Sequence, residues 1–256
     1  MIKQLQIFET GNFFGNMNMN KAFYPENYSD ENIKNDFLNR RIKLGNDYKF
    51  DGHKMFMADQ KDKRGTWFEI DEDYVKANPN GWSDINQDIL IVTEKTPGVV
   101  IGHPVADCPV VMMVDKEKGI AAIGHCSAEL VDMKMPMLVA DALYDSYRSK
   151  DEDIYAYVSA CAGNGWTYDK YPAWAKNNEI WNDFIIEDEN GLYHIDLKKA
   201  IAKQLVERNI NDVSICNIDT ITDPRFYSNS AACYNKDKAG RNFAGAFFTD
   251  QKVKVR

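Results

Sequence analysis

The sequence predicts an α+β fold, mixed β-sheets flanked by helices, in one domain spanning residues 1–256. Three observations predict it. Compact apolar runs of strand length stand at 89–93, 99–102, 109–115 and 120–124, joined by the short turns Thr-Pro-Gly at 96–98 and Lys-Glu-Lys-Gly at 116–119. Capped stretches with helical spacing of apolar residues stand apart from them at 29–44 and 196–209. No internal repeat, low-complexity tract or Gly/Ser/Pro-rich linker interrupts the 256 residues, which are enough to bury a substantial core.

In order, 1–8 reads as a first strand. A helix follows over 29–44, with Ser29 as N-cap, Ile33/Phe37 and Leu38/Ile42 at i,i+4 spacing, and Gly45 as stop. The polar stretch 71–88, with its Asn-Pro-Asn-Gly at 78–81, reads as a surface loop. The four apolar runs then form buried strands. Pro136 suits the first turn of a helix, where its missing N–H would have no partner, and Met137, Ala140, Tyr144 and Tyr147 give it an apolar face to about Arg148. A strand follows at 154–160. Asp196 caps a helix to Asn209 with Leu197, Ile201 and Leu205 inward, and 213–218 and 243–248 close the chain as strands.

Composition narrows the function. A net charge of −8, with Lys and Arg scattered among Asp and Glu, offers no basic stripe for nucleic acid. No run reaches the roughly 18 apolar residues that span a bilayer, and the N-terminus lacks the apolar core of a secretory signal, so a cytoplasmic protein is expected. Five cysteines without CxxC spacing point to free thiols rather than to a disulfide framework or zinc ribbon. Four histidines without an H-x-H pair do not make a multicopper site, so copper-based phenol oxidation is not expected.

The stretch VADCPVVMMVDKEKGIAAIGHC, 105–126, carries the chemistry. If 109–115 and 120–124 pair as a hairpin, Cys108 and His125 lie side by side at its open end. There a thiol and an imidazole can share a divalent metal, pair as nucleophile and base, or simply pack and hydrogen-bond. In the metal-free arrangement Asp107 or Glu129 is placed to orient His125.

ILIVTEKTPGVVIGHPVADCPVVMMVDKEKGIAAIGHCSAEL, 89–130, resembles the laccase-domain proteins, also described as YfiH-type or polyphenol-oxidase-like. Its PGV, ADC-P-V and A-A-x-x-H blocks keep the family's order and spacing, and the likeness extends from Asn39-Arg40 through DLKKAIAKQLVERNINDVSICNIDT to Phe226-Tyr227-Ser228. The resemblance implies a YfiH-like layered domain and a zinc-dependent enzyme acting on purine nucleosides or a related small molecule, of phosphorylase or deaminase type. It implies Cys108 and His125 as metal ligands and puts Asp62, of the QKDK block, where relatives carry a third ligand, a histidine. Zinc bound weakly or not at all is the resulting expectation. The family's W-R-G reads Ala128-Glu129-Leu130, and the arginines of its F-F-S-Y-R-R are absent at 226–231, which removes the expected hold on an anionic co-substrate. Gly163, Trp166, Phe226 and Tyr227 are placed by the resemblance at a substrate pocket, with the rings suited to stacking. His103 and His53 are read as structural. A metal-free Cys-His hydrolase and a non-catalytic ligand-binding relative remain the alternatives, and the residues do not specify an oligomeric state.

Overall fold

Why the central runs are apolar at every position, rather than at every second one, follows from where they sit: both of their faces are buried. The computed structural model describes residues 2–58, 64–81, 85–163 and 166–253. In chain order these form β1 (Ile2–Glu9), α1 (Asp30–Tyr48), β2 (Met55–Met57), β3 (Trp67–Glu69), α2 (Glu72–Ala77), β4 (Ile89–Thr93), β5 (Val100–Val105), β6 (Val110–Asp115) and β7 (Ile120–His125). Then come α3 (Ala128–Asp132), α4 (Met135–Tyr147), β8 (Ile154–Val158), β9 (Thr167–Tyr168), β10 (Ile185–Glu187), β11 (Tyr193–Ile195), α5 (Leu197–Glu207), β12 (Asp212–Ile215), α6 (Asn229–Ala232) and β13 (Asn242–Val253).

A six-stranded sheet has the order β12-β8-β6-β7-β4-β3, a four-stranded sheet β1-β13-β5-β2, and a small sheet β10-β11-β9. One face of the large sheet, with Ile89, Ile91, Val111 and Met113, packs under α4 and α5 through Val139, Leu143, Ile201 and Leu205. Its other face, with Leu90, Val92, Met112 and Ile123, packs on Phe56, Ile101, Ala246 and Phe248 of the four-stranded sheet. The far face of that second sheet, through Phe8, Met55, Val100 and Phe247, lies against Phe37 and Leu44 of α1. Helices, sheet, sheet and helix are thus stacked as layers, in agreement with the expected mixed-sheet α+β fold. Each fully buried side chain such as Leu143 adds about 1.5–3 kcal/mol.

The hairpin forms as expected: β6 and β7 pair antiparallel from Val110↔His125 to Asp115↔Ile120. Its turn is held by Asp115 Oδ1, which accepts the N–H groups of Glu117 and Lys118 at 2.9 Å each. Gly119 supplies the left-handed position at φ +64. Gly124 lets α4 approach, since a Cβ there would stand 2.5 Å from Val139 Cγ2.

Four expectations need correction. Gly45 does not stop α1, which runs on to Tyr48 and ends at Lys49 in the left-handed conformation. Gly45 is buried where the chain turns back, 2.5 Å from the Phe50 carbonyl oxygen by its would-be Cβ, so it serves close approach. The polar stretch 71–88 is not all loop: Asp71 caps α2 by accepting the Tyr74 N–H, and a cap followed by acidic first-turn residues outweighs the polar composition. In α4 the buried stripe is Met135, Pro136, Val139, Ala140, Ala142 and Leu143, with Tyr147 packed beside it; of the expected face Ala140 and Tyr147 turn inward, but Tyr144 is exposed. The last strands also shift: β12 ends at Ile215, and β13 continues to Val253. No helix among the described residues is long and apolar enough to cross a membrane.

Candidate functional site at the hairpin mouth

The site begins with a strained turn. Asp107 holds φ +80, a left-handed conformation uncommon for a residue with a side chain. Its carboxylate accepts the Thr220 hydroxyl at 2.7 Å on Oδ1 and the Ser230 N–H at 2.6 Å on Oδ2, and its carbonyl accepts the Ala162 N–H at 2.8 Å. Three distant segments are thereby fastened to the residue before Cys108. One residue further, the Pro109 carbonyl accepts the Cys126 N–H at 2.9 Å, which closes the open end of the hairpin beside His125.

Cys108 and His125 are both half-buried and border the same two adjoining cavities, of about 340 and 320 Å³. Trp166 is a wall of both. The first cavity also meets Asp107, Asn229, Ser230 and Arg241, and the second Ser127, Glu129, Tyr168 and Trp174. The cleft therefore has a cation at one end, an acid at the other and aromatic rings along it. Burial, with the Asp107 carboxylate beside it, pushes the Cys108 thiol up to about 12, against the opposing pull of Arg241. A thiol in that environment stays protonated at neutral pH unless a metal binds it. Behind the cleft His103 is fully buried, its ring centroid 6.1 Å from that of His125. Burial first, then His125, drives its pKa down to about 3, so it packs as a neutral imidazole.

Of the residues placed at a substrate pocket from sequence, Trp166 lines both cavities. Gly163 instead donates its N–H to Asp219 Oδ1 at 2.9 Å and leaves no room for a Cβ beside that carboxylate. Phe226 is buried, its carbonyl accepting from Lys238 Nζ at 2.9 Å. Tyr227 exchanges backbone hydrogen bonds with the Asn242 side chain, 2.9 Å each way, and packs on Gly240. These three support the loop around Asp107 and do not appear in the lining of either cavity. Asp62 lies outside the described residues, and among the described residues no three His, Cys, Asp or Glu side chains stand together as a metal site.

Arg241, Trp174 and Ser127 were missed in the sequence. Arg241 had a detectable signal, a cation next to Gly240 just before a strand, but nothing local showed that β13 starts beside the hairpin mouth.

The layered fold is shared with solved structures. YlmD from Geobacillus stearothermophilus superimposes with a TM-score of 0.75 at 15% identity, covering 96% of this chain and 92% of that one. The hypothetical protein YfiH of Bacillus licheniformis gives 0.67 at 17% identity, over 84% and 82% of the two chains. Neisseria meningitidis protein NMB0706 gives 0.68 at 13% identity, over 91% and 86%. The chain belongs to the family described as multi-copper polyphenol oxidoreductase laccase, whose model matches residues 32–248. No curated protein matches the sequence.

Proposed function

We propose that the protein is an enzyme that takes a purine nucleoside or a related flat heterocycle in this cleft, with chemistry of phosphorylase or deaminase type. The observation that carries the reading is that Cys108, His125 and Trp166 border both cavities at once, so a ring stacked on Trp166 lies next to the two chemistry-bearing side chains. Tyr168 and Trp174 extend the stacking wall. We assign zinc to Cys108 and His125 with Asp62 as third ligand, a thiolate, imidazole and carboxylate set that suits this metal. When bound, zinc supplies Lewis-acid polarisation or a water whose pKa is lowered to near 7. The protein's own part is to hold the ring against Trp166 beside His125 and to exclude water there. The raised thiol of Cys108 speaks against the metal-free hydrolase. The five cysteines are all free thiols, which suits the reducing cytoplasm where we place the protein.

The test is a panel of adenosine, inosine and guanosine, each with and without phosphate and zinc, followed by chromatographic detection of free base or deaminated product. Turnover that disappears in Cys108→Ala supports the reading. Nucleoside binding without turnover makes the protein a ligand-binding relative, and neither binding nor turnover overturns the nucleoside assignment.

A further inference from the structure

We propose that the second cavity of the cleft is a subsite for an organic cation, and that the ligand presents an alkylammonium group to Glu129 and the rings of Trp166, Tyr168 and Trp174. These four residues border one cavity of about 320 Å³, and among the described residues its lining includes no Lys or Arg. All three rings are half-buried. Trp166 and Tyr168 stand 6.0 Å apart, centre to centre, with their planes inclined by 31°. Trp174 stands edge to face against Trp181, 4.9 Å away, and Trp181 is fully buried with its indole N–H donated to Asp132 Oδ1 at 2.7 Å. The ring wall is therefore fixed from behind. Aromatic faces carry partial negative charge, and a cation without a tight hydration shell gains most from them.

Glu129 supplies a full charge. It lies in the first turn of α3, whose place is set by buried Leu130 and Val131, by the Ser127 hydroxyl accepting the Leu130 N–H at 3.3 Å, and by Gln204 donating to the Val131 carbonyl at 2.8 Å. Its field reaches across the cavity: burial raises the pKa of the Tyr168 phenol, and the charges of Cys108 and Glu129 add to the rise. A carboxylate has about four lone-pair sites, so it accepts a ligand N–H in addition to a protein donor. Calcium or magnesium is a poor match, because these ions demand several oxygen ligands and gain little from rings. An alkylammonium, charged yet apolar on its outside, matches the rings and the carboxylate together. Zinc held by a thiolate, an imidazole and a carboxylate is a set of zero net charge, so it leaves the negative field of Glu129 in place. Packing alone accounts for Trp181, which is covered completely. It does not account for three half-exposed rings bordering one cavity with a carboxylate.

The inference rests on the cleft being a small-molecule site, as proposed above, and separate probes keep the two readings distinguishable. Calorimetric titration of the full chain uses choline, its uncharged carbon isostere dimethylbutanol, ethanolamine and adenosine, with Glu129→Gln, Glu129→Lys and Trp174→Leu compared with the wild type. Thermal midpoints verify folding, and the two substitutions at exposed Glu129 carry the test alone should Trp174→Leu not fold. The amines should lose about three- to tenfold in affinity in Glu129→Gln, and more in Glu129→Lys and Trp174→Leu. Dimethylbutanol should bind more weakly than choline and should not respond to Glu129. Choline tighter than ethanolamine identifies an alkylated cation held mainly by the rings; the reverse identifies an N–H donor held mainly by Glu129. Amine binding that is absent from the wild type, equal in Glu129→Gln and wild type, unchanged in folded Trp174→Leu, or matched by dimethylbutanol overturns the proposal. Adenosine binding in any of those cases leaves the nucleoside reading standing, whereas Glu129-dependent amine binding without adenosine binding keeps the proposal and overturns the nucleoside reading.

Discussion

Thr220 donates its hydroxyl to Asp107 Oδ1 at 2.7 Å, joining positions 113 residues apart, and the same carboxylate takes the Ser230 N–H on its other oxygen. The φ +80 turn that aims Cys108 at the cleft is held by this bond pair. Asp107→Ala removes both acceptors and leaves a buried hydroxyl and an N–H unsatisfied, which costs roughly 2–4 kcal/mol. The expected loss of thermal midpoint is about 2–4 °C per kcal/mol for a chain of this size. Asp107→Asn tolerates the backbone conformation yet presents an NH₂ to one donor, so its loss should be intermediate. Alanine and wild-type midpoints within 1–2 °C of each other, an order-of-magnitude tolerance, would remove Asp107 from this role.

A second prediction concerns pH. Glu9, at the end of β1, accepts the Tyr157 hydroxyl at 2.6 Å and the Ala160 N–H at 2.9 Å, which ties the edge of the four-stranded sheet to β8. Burial raises its pKa above 4.5, more than its hydrogen bonds and the Lys198 charge lower it. A carboxyl with a raised folded-state pKa contributes stability that is fully present below the unfolded pKa and is lost as pH rises through the folded pKa. Glu9→Gln removes that dependence while keeping an acceptor. In urea unfolding, wild type minus Glu9→Gln should therefore be most favourable near pH 4 and should fall as pH increases. A difference that grows with pH would reverse the assignment.

Gly45 gives a third. In the middle of a helix, Gly→Ala ordinarily adds about 0.5–1 kcal/mol of stability. Here the new methyl would stand 2.5 Å from the Phe50 carbonyl oxygen and 2.9 Å from the Gly52 nitrogen, both backbone atoms that cannot swing away. Overpacking of that kind costs roughly 1–3 kcal/mol, so Gly45→Ala should lower the urea midpoint. A raised midpoint would show that the 50–52 turn yields.

The zinc assignment predicts a ranking. Isothermal titration should show weak zinc binding in the wild type, tighter binding in Asp62→His and none in Cys108→Ala. If Asp62→His binds no more tightly than the parent, residue 62 does not occupy a ligand position.

What was legible in the sequence were features written in local order: the apolar runs of β4 to β7, the Lys-Glu-Lys-Gly turn, the Ser29 and Asp196 caps, and hence the meeting of Cys108 with His125 at one hairpin end. The rest depends on long-range contact. Gly45 reads as a stop because the Phe50 carbonyl it must admit is invisible in the helix itself. The phase of α4 is only partly legible: Ala140 and Tyr147 turn to the core as expected, but Tyr144 is exposed and Val139 and Leu143 meet the sheet. That Lys238 and Asn242 bind the main chain at Phe226 and Tyr227 is likewise invisible in the sequence. Arg241 is brought to the cleft by the pairing of the following residue, Asn242, with Val105 of β5 and by its own backbone bonds to Asn16 and Met17.

The central position of β6 and β7 sets a difference in timescale within the cleft. Both strands are hydrogen-bonded on two sides, β6 by β7 and β8, and β7 by β6 and β4. Their amide protons should exchange with solvent only when the whole sheet opens, whereas those of 166–174 and 226–241, with few ladder bonds, should exchange through small local openings. His125 thus ends, and Cys108 closely precedes, a strand in the slowest part of the molecule, while the aromatic and Arg241 walls of the cavities lie on faster parts. Substitutions in those walls can alter which compound is accepted without resetting the spacing between Cys108 and His125.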